Sequence, residues 1–383
     1  MHTSFSLFLE KFRRITSAEG YMPEIDGLRF IAICWVVVLM HLPNIIDTNL
    51  YNNQLISNSF IAKMVLEGGN GVSFFFMISG FILALPFLKE KLYQGKKVSI
   101  KKYYLRRLTR LEPPYIAALL IAFIMLVFML KKFTFSELSA NFFASLFYVH
   151  NIIYDNHSKV LGVAWSLEVE AQFYILAPFL SYVFLIKATL FRRFLLVLLA
   201  VISFTKHFYA MWEPSSPFID FACYFLIGML LADLYCSKWK LVNNSRFCKW
   251  AGIIIFIGLH FIFSVDFIGL YFFKRTLLAV FFYIGITNNW WKKLLSVQWI
   301  SIIGGMCYSI YLLHMMIMSA VTKVLVKMPI DNKLPGFFIY GSIILIVVLL
   351  VSMLFYRFIE QPCMRRDWYK NIFKKKISAE VEN

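Results

Sequence analysis

The sequence predicts an all-α, polytopic membrane protein with about ten transmembrane helices and both termini in the cytoplasm. Three observations lead to this fold class. Of the 383 residues, 60% are hydrophobic, and the mean hydropathy is +0.69. Only 16% are charged, against about 25% in typical soluble domains. Many apolar runs approach the ~20 residues that a helix needs to cross a bilayer. These proportions leave no room for a sizeable soluble domain.

Basic loops decide how many apolar segments cross. The loop 89–110 is rich in Lys and Arg, so the positive-inside rule makes it cytoplasmic. Four later basic clusters lie at 187–193, 238–249, 292–293 and 365–376. If the short segment 140–152 does not cross, all four are also cytoplasmic; if it crosses, all four change sides. We therefore expect ten crossings, with 140–152 re-entrant or interfacial. The predicted crossing segments are 27–45, 70–89, 113–130, 163–186, 194–210, 217–235, 250–266, 268–289, 299–322 and 336–358.

The chain divides into a cytoplasmic N-terminal segment 1–26, a transmembrane domain 27–360 and a basic cytoplasmic tail 361–383. The mixed-charge N-terminus has no signal-peptide pattern, so we expect the first apolar run to remain as a helix. The net charge of +18 is explained by topogenic loops, and we expect no nucleic-acid partner. The six cysteines form no Cys-x-x-Cys pair, so we expect neither a disulfide framework nor a metal.

Polar groups inside the apolar helices are the candidate functional residues, because ionisable groups there cost several kcal/mol. Arg29 begins the first helix and His41 follows twelve residues later, roughly 18 Å along the axis. An arginine that snorkels to the interface and a histidine at a helix end would be simpler explanations. Ser79 and Gly80 fall near mid-membrane, where small residues leave room for a ligand or let helices pack.

Arg107 and Arg110 are three residues apart, so in a helix they share a face, and guanidinium groups suit phosphate oxygens. A topogenic loop is the alternative. The prolines at 113 and 114 are expected to open the third crossing.

Two carboxylates occur in the stretch 164–174, where Glu168 shares a helix face with Gln172 and Glu170 shares another with Ser166. The alternative is that these carboxylates are the buried partners of a basic residue elsewhere in the chain.

Tyr308, Tyr311 and His314 form a stripe at intervals of three residues, directed either into a cavity or to the outer interface. The stretch 356–362 is predicted to be a cytoplasmic helix end. In the ten-helix topology, His41, Glu170 and His314 lie in the outer half, and the arginines lie at the cytoplasmic side.

These blocks, in this order, resemble acyltransferase family 3, the membrane acyltransferases that include bacterial O-antigen acetylases. Each motif is weak alone, whereas the ordered set from about residue 20 to 365 is specific. The matching stretches are Asp26-Gly-Leu-Arg29 with His41, Phe74-Phe-Phe-Met-Ile-Ser-Gly80, Arg107-x-x-Arg110 before Pro113-Pro114, Trp165-Ser-Leu-Glu-Val-Glu-Ala-Gln-Phe-Tyr174, Tyr308-Ser-Ile-Tyr-Leu-Leu-His314 and Phe358-Ile-Glu-Gln-Pro362.

The resemblance implies an O-acyltransferase of the bacterial inner membrane. It would move an acyl group, most often acetyl, from cytoplasmic acetyl-CoA or another acyl-CoA to a carbohydrate hydroxyl of O-antigen, lipopolysaccharide or exopolysaccharide. The partners would be membrane lipid, the acyl-CoA donor and a carbohydrate acceptor that is free or lipid-linked. Some family members carry a further helix and a hydrolase-like domain; because this chain ends at Asn383, we expect that domain to be absent.

The resemblance gives roles to Arg29, His41, Arg107, Arg110 and Glu170. The three arginines would hold the CoA phosphates, and the pantetheine arm would pass Ser79 and Gly80. His41 would act as general base, oriented by Glu170; a variant in which His41 is transiently acylated fits equally well. Tyr308, Tyr311 and His314 would line the acceptor side.

One spacing departs from the family pattern. The family has ten residues between the arginine and the histidine, whereas eleven separate Arg29 from His41. On an ideal helix this change moves the two side chains from about 20° to about 120° apart. We therefore expect either that Arg29 precedes the regular helix or that a one-residue π-bulge restores the shared face.

Rival classes explain less. A secondary transporter or flippase would also contain buried Arg, His and Glu, but it predicts repeats and broken helices that the sequence lacks. A polyisoprenoid-linked glycosyltransferase would need a carboxylate cluster in a loop, and none is visible. A purely structural protein has no need for Arg29, His41 and Glu170 inside helices.

Overall fold

The computed structural model describes residues 10–15, 21–53, 65, 67–154, 156–210, 217–237, 245–262, 268–330, 332–365 and 368. The tail from 369 onward, and parts of the N-terminal segment and of the basic cluster 238–249, lie outside these residues. Throughout the described ranges the regular elements are helices. They are α1 (Pro23–Leu50), α2 (Asn70–Leu92), α3 (Ile100–Met129), α4 (Phe135–Leu146), α5 (His150–Ile153), α6 (Ala164–Leu180), α7 (Thr189–Ala210), α8 (Pro217–Cys236), α9 (Arg246–Gly258), α10 (Ile268–Thr287), α11 (Asn289–Leu295), α12 (Gln298–Gly305), α13 (Cys307–Leu325) and α14 (Lys333–Cys363).

Seven helical stretches within the described residues are long and apolar enough to cross a membrane. They contain α1, α2, α3, α8, α10, α13 and α14. The other predicted crossings correspond to α6, α7 and α9, which do not meet the same criteria of length and composition. The fold is therefore all-α with several membrane-crossing helices, while the number of ten crossings and the side of the termini stay predictions.

Segment 140–152, predicted not to cross, falls on α4 and α5. These helices have 12 and 4 residues, too few to span a bilayer at ~1.5 Å per residue. The Thr134 side chain caps α4 by accepting a hydrogen bond from the Glu137 amide, and the Glu137 carboxylate accepts one from the Thr134 amide. This reciprocal capping box fixes the point at which the chain turns back into helix.

The prediction that Pro113 and Pro114 open the third crossing as a helix start is wrong about the start of the helix. Helix α3 begins at Ile100, and Pro113 and Pro114 lie inside it. Because Pro113 has no N–H, the Thr109 carbonyl loses its helical donor. The Trp368 indole Nε1–H donates a hydrogen bond to this carbonyl at 3.0 Å. A side chain from the other end of the chain therefore satisfies the backbone group that the proline leaves free.

Two arginines of the basic cluster 187–193 are also held in ion pairs. Arg192 and Arg193 belong to α7, and both donate to the carboxylate of Asp233 in α8. Arg192 and Asp233 are buried, with 3% and 1% of their side chains exposed. These charges join two helices, so their contribution to topology is only part of their role.

Candidate active site

A cavity of about 110 Å³ lies among α1, α2, α3, α6, α13 and the end of α14. All the sequence blocks singled out above contribute a side chain to its wall. One side is apolar, formed by residues such as Phe75, Phe76 and Ile82. The polar and sulfur-bearing residues of the wall are Arg14, Arg29, Ser79, Arg107, Arg110, Ser166, Glu170, Tyr174, Cys307, Tyr308, Tyr311 and Glu360.

Four arginines form one end of this cavity, and we call them the arginine cluster: Arg14, Arg29, Arg107 and Arg110. Arg14 and Arg29 both donate to Oδ1 of Asp26, a carboxylate that is 1% exposed. One carboxylate charge therefore serves two guanidinium groups.

Arg107 lies over two aromatic rings, with its guanidinium carbon 5.9 Å from the centroid of Tyr103 and 5.4 Å from that of Tyr174. Such stacking orients a guanidinium without neutralising it. Arg110 lies in the fields of Arg14, Arg29 and Arg107, with Glu360 as the opposing charge. The Glu360 carboxylate also accepts hydrogen bonds from the amide and hydroxyl of Ser309. Positive charge exceeds negative charge here, as in a site that binds an anion.

Glu170 also lines the cavity, and its carboxylate accepts a hydrogen bond from the Ser79 hydroxyl. It also interacts electrostatically with Tyr174, one of the aromatic residues beneath Arg107. The expected partnership of Glu170 with His41 is wrong, because His41 bonds instead to His314. Sequence spacing could not distinguish the two partners, since all three residues fall in the outer half of the predicted topology.

Gly80 does not line the cavity. A Cβ atom added to Gly80 would lie 2.2 Å from the carbonyl oxygen of Phe225 in α8, and one added to Gly228 would lie 2.2 Å from that of Met77 in α2. The two glycines let α2 and α8 approach closely. The expectation that Gly80 makes room for a ligand is therefore wrong, and Ser79 alone of this pair faces the cavity.

The stripe on α13 points inward. Tyr308 and Tyr311 line the cavity, which excludes the interfacial alternative for these side chains. The Tyr308 hydroxyl donates to the carbonyl of Leu111 at 3.0 Å. The Tyr311 and Ser166 hydroxyl oxygens are 2.6 Å apart. His314, one turn further along α13, is fully buried.

His41 and His314 form a hydrogen-bonded pair just beyond Tyr311. Nδ1 of His41 and Nε2 of His314 are 2.8 Å apart, and the rings stack with centroids 4.9 Å apart. Nδ1 of His314 lies 2.7 Å from the Tyr311 carbonyl oxygen and 3.1 Å from that of Ile310. A carbonyl only accepts, so Nδ1 of His314 carries the proton.

The proton on Nδ1 of His314 sets the tautomer of His41. None of the recorded partners of His314 carries a negative charge, and a buried imidazolium without one is costly, so the ring is neutral. Its Nε2 then accepts the Nδ1–H of His41, and the lone pair of His41 lies on Nε2. Neither histidine lines the cavity; the pair adjoins the cavity wall at Tyr311, whose ring centroid is 5.7 Å from that of His314.

A π-helical segment at Trp35–His41 lies between Arg29 and His41 and confirms the predicted bulge. Its wider hydrogen bonds, such as Leu42 N–H to the Val37 carbonyl, absorb the extra residue. Both side chains consequently lie toward α13: His41 contacts His314, and Arg29 lines the cavity together with Cys307 at the start of that helix.

Close packing holds this segment in place. Gly68, just before α2, is so near that an added Cβ would lie 2.6 Å from the Cβ of Met40. The indole Nε1–H of Trp35 also donates to Nε2 of His260 at 2.7 Å.

Sequence reasoning missed two charged residues of the cavity. Glu360 was assigned to a helix end, although it belongs to the Phe358–Pro362 motif that carried the resemblance and so had a signal. Arg14 had no distinguishing signal, because it is one of several basic residues in the N-terminal segment.

In the described ranges, no group of three or more His, Cys, Asp and Glu side chains is arranged to hold a metal ion.

Comparison with known proteins assigns the family. The model of an acyltransferase domain, acyltransferase family 3, matches residues 22–357. The chain is 27% identical to the O-acetyltransferase OatA of Staphylococcus aureus strain MRSA252, covering 94% of this chain and 60% of OatA. Identity is also 27% to OatA of strain NCTC 8325 / PS 47, covering 91% and 58%.

A protein of Staphylococcus aureus strain MSSA476, whose name gives O-acetyltransferase as a provisional assignment, is 27% identical over 89% of this chain and 57% of its own length. The chain therefore spans less than two thirds of the curated relatives that it matches. No solved structure matches. Because the family model covers most of the sequence and the motifs that define the resemblance meet around one cavity, the chain belongs to acyltransferase family 3.

Proposed function

We propose that this protein transfers an acyl group, most often acetyl, from cytoplasmic acyl-CoA to a hydroxyl of a cell-surface carbohydrate such as O-antigen, lipopolysaccharide or exopolysaccharide. The main support is the order of groups in one site: an arginine cluster at one end, hydroxyls in the middle and an imidazole lone pair beyond them. The O-acetyltransferase names of the relatives support the acetyl group. The bacterial inner membrane is the location proposed with it.

The arginine cluster is the proposed site for the phosphates of acyl-CoA. Phosphate oxygens accept charge-assisted hydrogen bonds from guanidinium forks, and Arg107 and Arg110 reach the cavity from the same face of α3. Arg107 stacks on Tyr174, and Tyr174 in turn interacts with Glu170. A change at Glu170 would therefore alter the orientation of Arg107. Glu170 is therefore proposed as a positioning residue of the donor side, acting on Ser79 and Tyr174.

The chemical step is assigned to His41. Its Nε2 lone pair would take the proton of the acceptor hydroxyl while that oxygen attacks the thioester carbonyl carbon. The new C–O bond forms, the C–S bond breaks, and the CoA thiolate leaves and later takes up a proton. The hydroxyls of Ser166 and Tyr311 are the proposed donors to the developing oxyanion, with His314 on the acceptor side. Tyr308, expected on the acceptor side, lies instead near the arginine cluster, where its hydroxyl donates to the carbonyl of Leu111.

A second form of the same reaction fits the residues equally well. In a relay, Nε2 of His41 would attack the thioester, CoA would leave, and the acceptor oxygen would then displace the imidazole. The acceptor, free or lipid-linked, would approach from the outer side of the membrane. Trapping of labelled acyl-protein from acyl-CoA without acceptor would distinguish the relay from direct transfer.

The first experiment measures CoA release from acetyl-CoA by the purified full-length protein in lipid nanodiscs, with and without bacterial surface glycans. Wild type is compared with His41→Ala and, as a matched control, with His157→Ala, which removes an exposed imidazole. We expect glycan-dependent release that falls by about 10³-fold in His41→Ala, within the range of a positioned general base, and is unchanged in His157→Ala. Folded protein that binds no acyl-CoA would favour the transporter or flippase class instead.

A further inference from the structure

A short N-terminal strap, residues 10–15, lies outside the matched family domain and contributes Arg14 to the arginine cluster. The family match begins at residue 22, so this strap is a feature of the chain beyond the shared domain. Phe12 is 9% exposed and belongs to the hydrophobic core. The Gln361 side-chain amide donates to the carbonyls of Lys11 and Arg13 at 2.9 and 3.1 Å. The strap is thus fixed at both its side chains and its backbone.

Arg14 is the strap residue that enters the cavity wall. Its Nη1 donates to Asp26 at 2.8 Å, and the Tyr21 hydroxyl donates to the other oxygen of the same carboxylate at 3.0 Å. Burial and the charge of Asp26 raise the pKa of Tyr21 to about 12, so this hydroxyl keeps its proton. Asp26 therefore holds Arg14 in place while also pairing with Arg29.

Arg14 retains unused hydrogen-bonding capacity. Its Nε–H is buried and has no hydrogen-bond partner among the described residues. A guanidinium carries five N–H donors, and a buried donor without a partner is costly. The Asp26 charge is divided between Arg14 and Arg29, which leaves a net positive field toward the cavity. An anion in the cavity would satisfy both the charge and the donor.

We propose that Arg14 is a specificity-determining residue that binds a phosphate of the acyl-CoA donor and distinguishes it from phosphate-free thioesters. This inference rests on the proposed function. It assigns to the strap a direct part in donor recognition, beyond the arginines of α1 and α3. A structural role, in which Arg14 only supports Asp26 and Arg29, is the alternative that the experiment must separate.

The experiment compares donors with and without phosphates. Transfer by wild type and Arg14→Ala, both full length and in nanodiscs, is measured with acetyl-CoA and with S-acetyl-pantetheine, which has no phosphate. We expect Arg14→Ala to raise the KM for acetyl-CoA by about tenfold, the loss typical of a charge-assisted hydrogen bond, and to leave turnover of S-acetyl-pantetheine within twofold. Arg14→Lys should recover part of the KM change, because it restores the charge without the fork.

Arg13→Ala is the matched control, since Arg13 lies in the same strap with an exposed side chain and should keep wild-type KM for both donors. An equal loss with both donors would overturn the proposal, because it would indicate a structural role. An unchanged KM for acetyl-CoA in Arg14→Ala would overturn it as well. Absence of transfer from either donor by wild type would instead contradict the proposed function.

Discussion

The arginine cluster and the histidine pair are two polar regions of one membrane domain, and they are stabilised in opposite ways. In the cluster, four guanidinium groups face the carboxylates of Asp26 and Glu360. In the pair, His41 and His314 carry no net charge, and each recorded hydrogen bond has one donor and one acceptor. The arginine cluster has excess positive charge, whereas the histidine pair is neutral and its two rings are hydrogen-bonded to each other.

This difference indicates what each region does with a ligand. Excess positive charge is reduced when an anion arrives, so the cluster favours binding. A neutral pair with a fixed tautomer favours chemistry, because the lone pair of His41 Nε2 needs no rearrangement before it accepts a proton. Substitutions in the arginine cluster should therefore alter the affinity for acyl-CoA and the salt dependence of that affinity. Substitutions in the histidine pair should alter turnover.

Among the changes that test this comparison, the largest effect is expected from the length of the π-helical segment between the two regions. Inserting one alanine after Val38 adds a residue that the bulge cannot absorb, which rotates His41 away from His314. We expect turnover to fall by at least about 10²-fold, as a small misplacement can cost. Deleting Val38 restores the ten-residue spacing of the family and should keep activity within about tenfold of wild type.

Thermal unfolding of both length variants controls for loss of fold, and CoA release measures the effect. Equal loss of activity in two folded variants would contradict a role for the shared face of Arg29 and His41.

A smaller loss is expected when the tautomer of His41 is released. His314→Leu removes the acceptor of the His41 Nδ1–H bond, so the lone pair is no longer held on Nε2. We expect kcat to fall by about 10²-fold, part of the contribution of a positioned base, with the KM for acyl-CoA unchanged. His314→Gln, which offers a carbonyl oxygen as acceptor, should recover part of kcat.

The pH profile supplies the second measurement for His314. Loss of the fixed tautomer should change the dependence of kcat on pH in His314→Leu, and change it less in His314→Gln. If the two variants have the same kcat and the same profile, the hydrogen bond from His41 to His314 does not position the base.

The smallest effect is expected in the arginine cluster. Arg110→Ala removes one guanidinium from the cavity, and we expect the KM for acyl-CoA to rise by about tenfold with little change in kcat. The KM of the variant should also depend less steeply on ionic strength. Arg106→Ala is the control on the same helix, because Arg106 is exposed. A fall in kcat without a change in KM would place Arg110 in the chemical step instead.

Much of the site could be predicted because its residues are unusual within apolar helices. Arg29, Ser79, Arg107, Glu170 and Tyr311 all line the cavity, and the cost of burying polar groups in a bilayer made each of them conspicuous in the sequence. The one extra residue between Arg29 and His41, relative to the family pattern, also predicted a bulge, because helix geometry relates residue spacing to the angle between side chains. These are local or periodic properties of the chain.

Partners across the fold could not be predicted in the same way. Glu170 pairs with Ser79 and His41 with His314, 91 and 273 residues apart in sequence. Lys274 in α10 forms a buried ion pair with Glu67, which hydropathy alone does not reveal. Likewise, the helix through Pro113 depends on a donor from Trp368.

The sequence by itself determined the membrane class, the order of the helical segments and the polar residues that must be buried, because composition, periodicity and desolvation cost act along the chain. Only the tertiary structure decided which buried groups satisfy one another. It brought Arg14 from the N-terminal strap to Asp26, and it turned Gly80 toward α8 rather than the cavity. The physical reason is that hydrogen bonds and ion pairs act over a few ångströms of space, and sequence separation does not measure that distance.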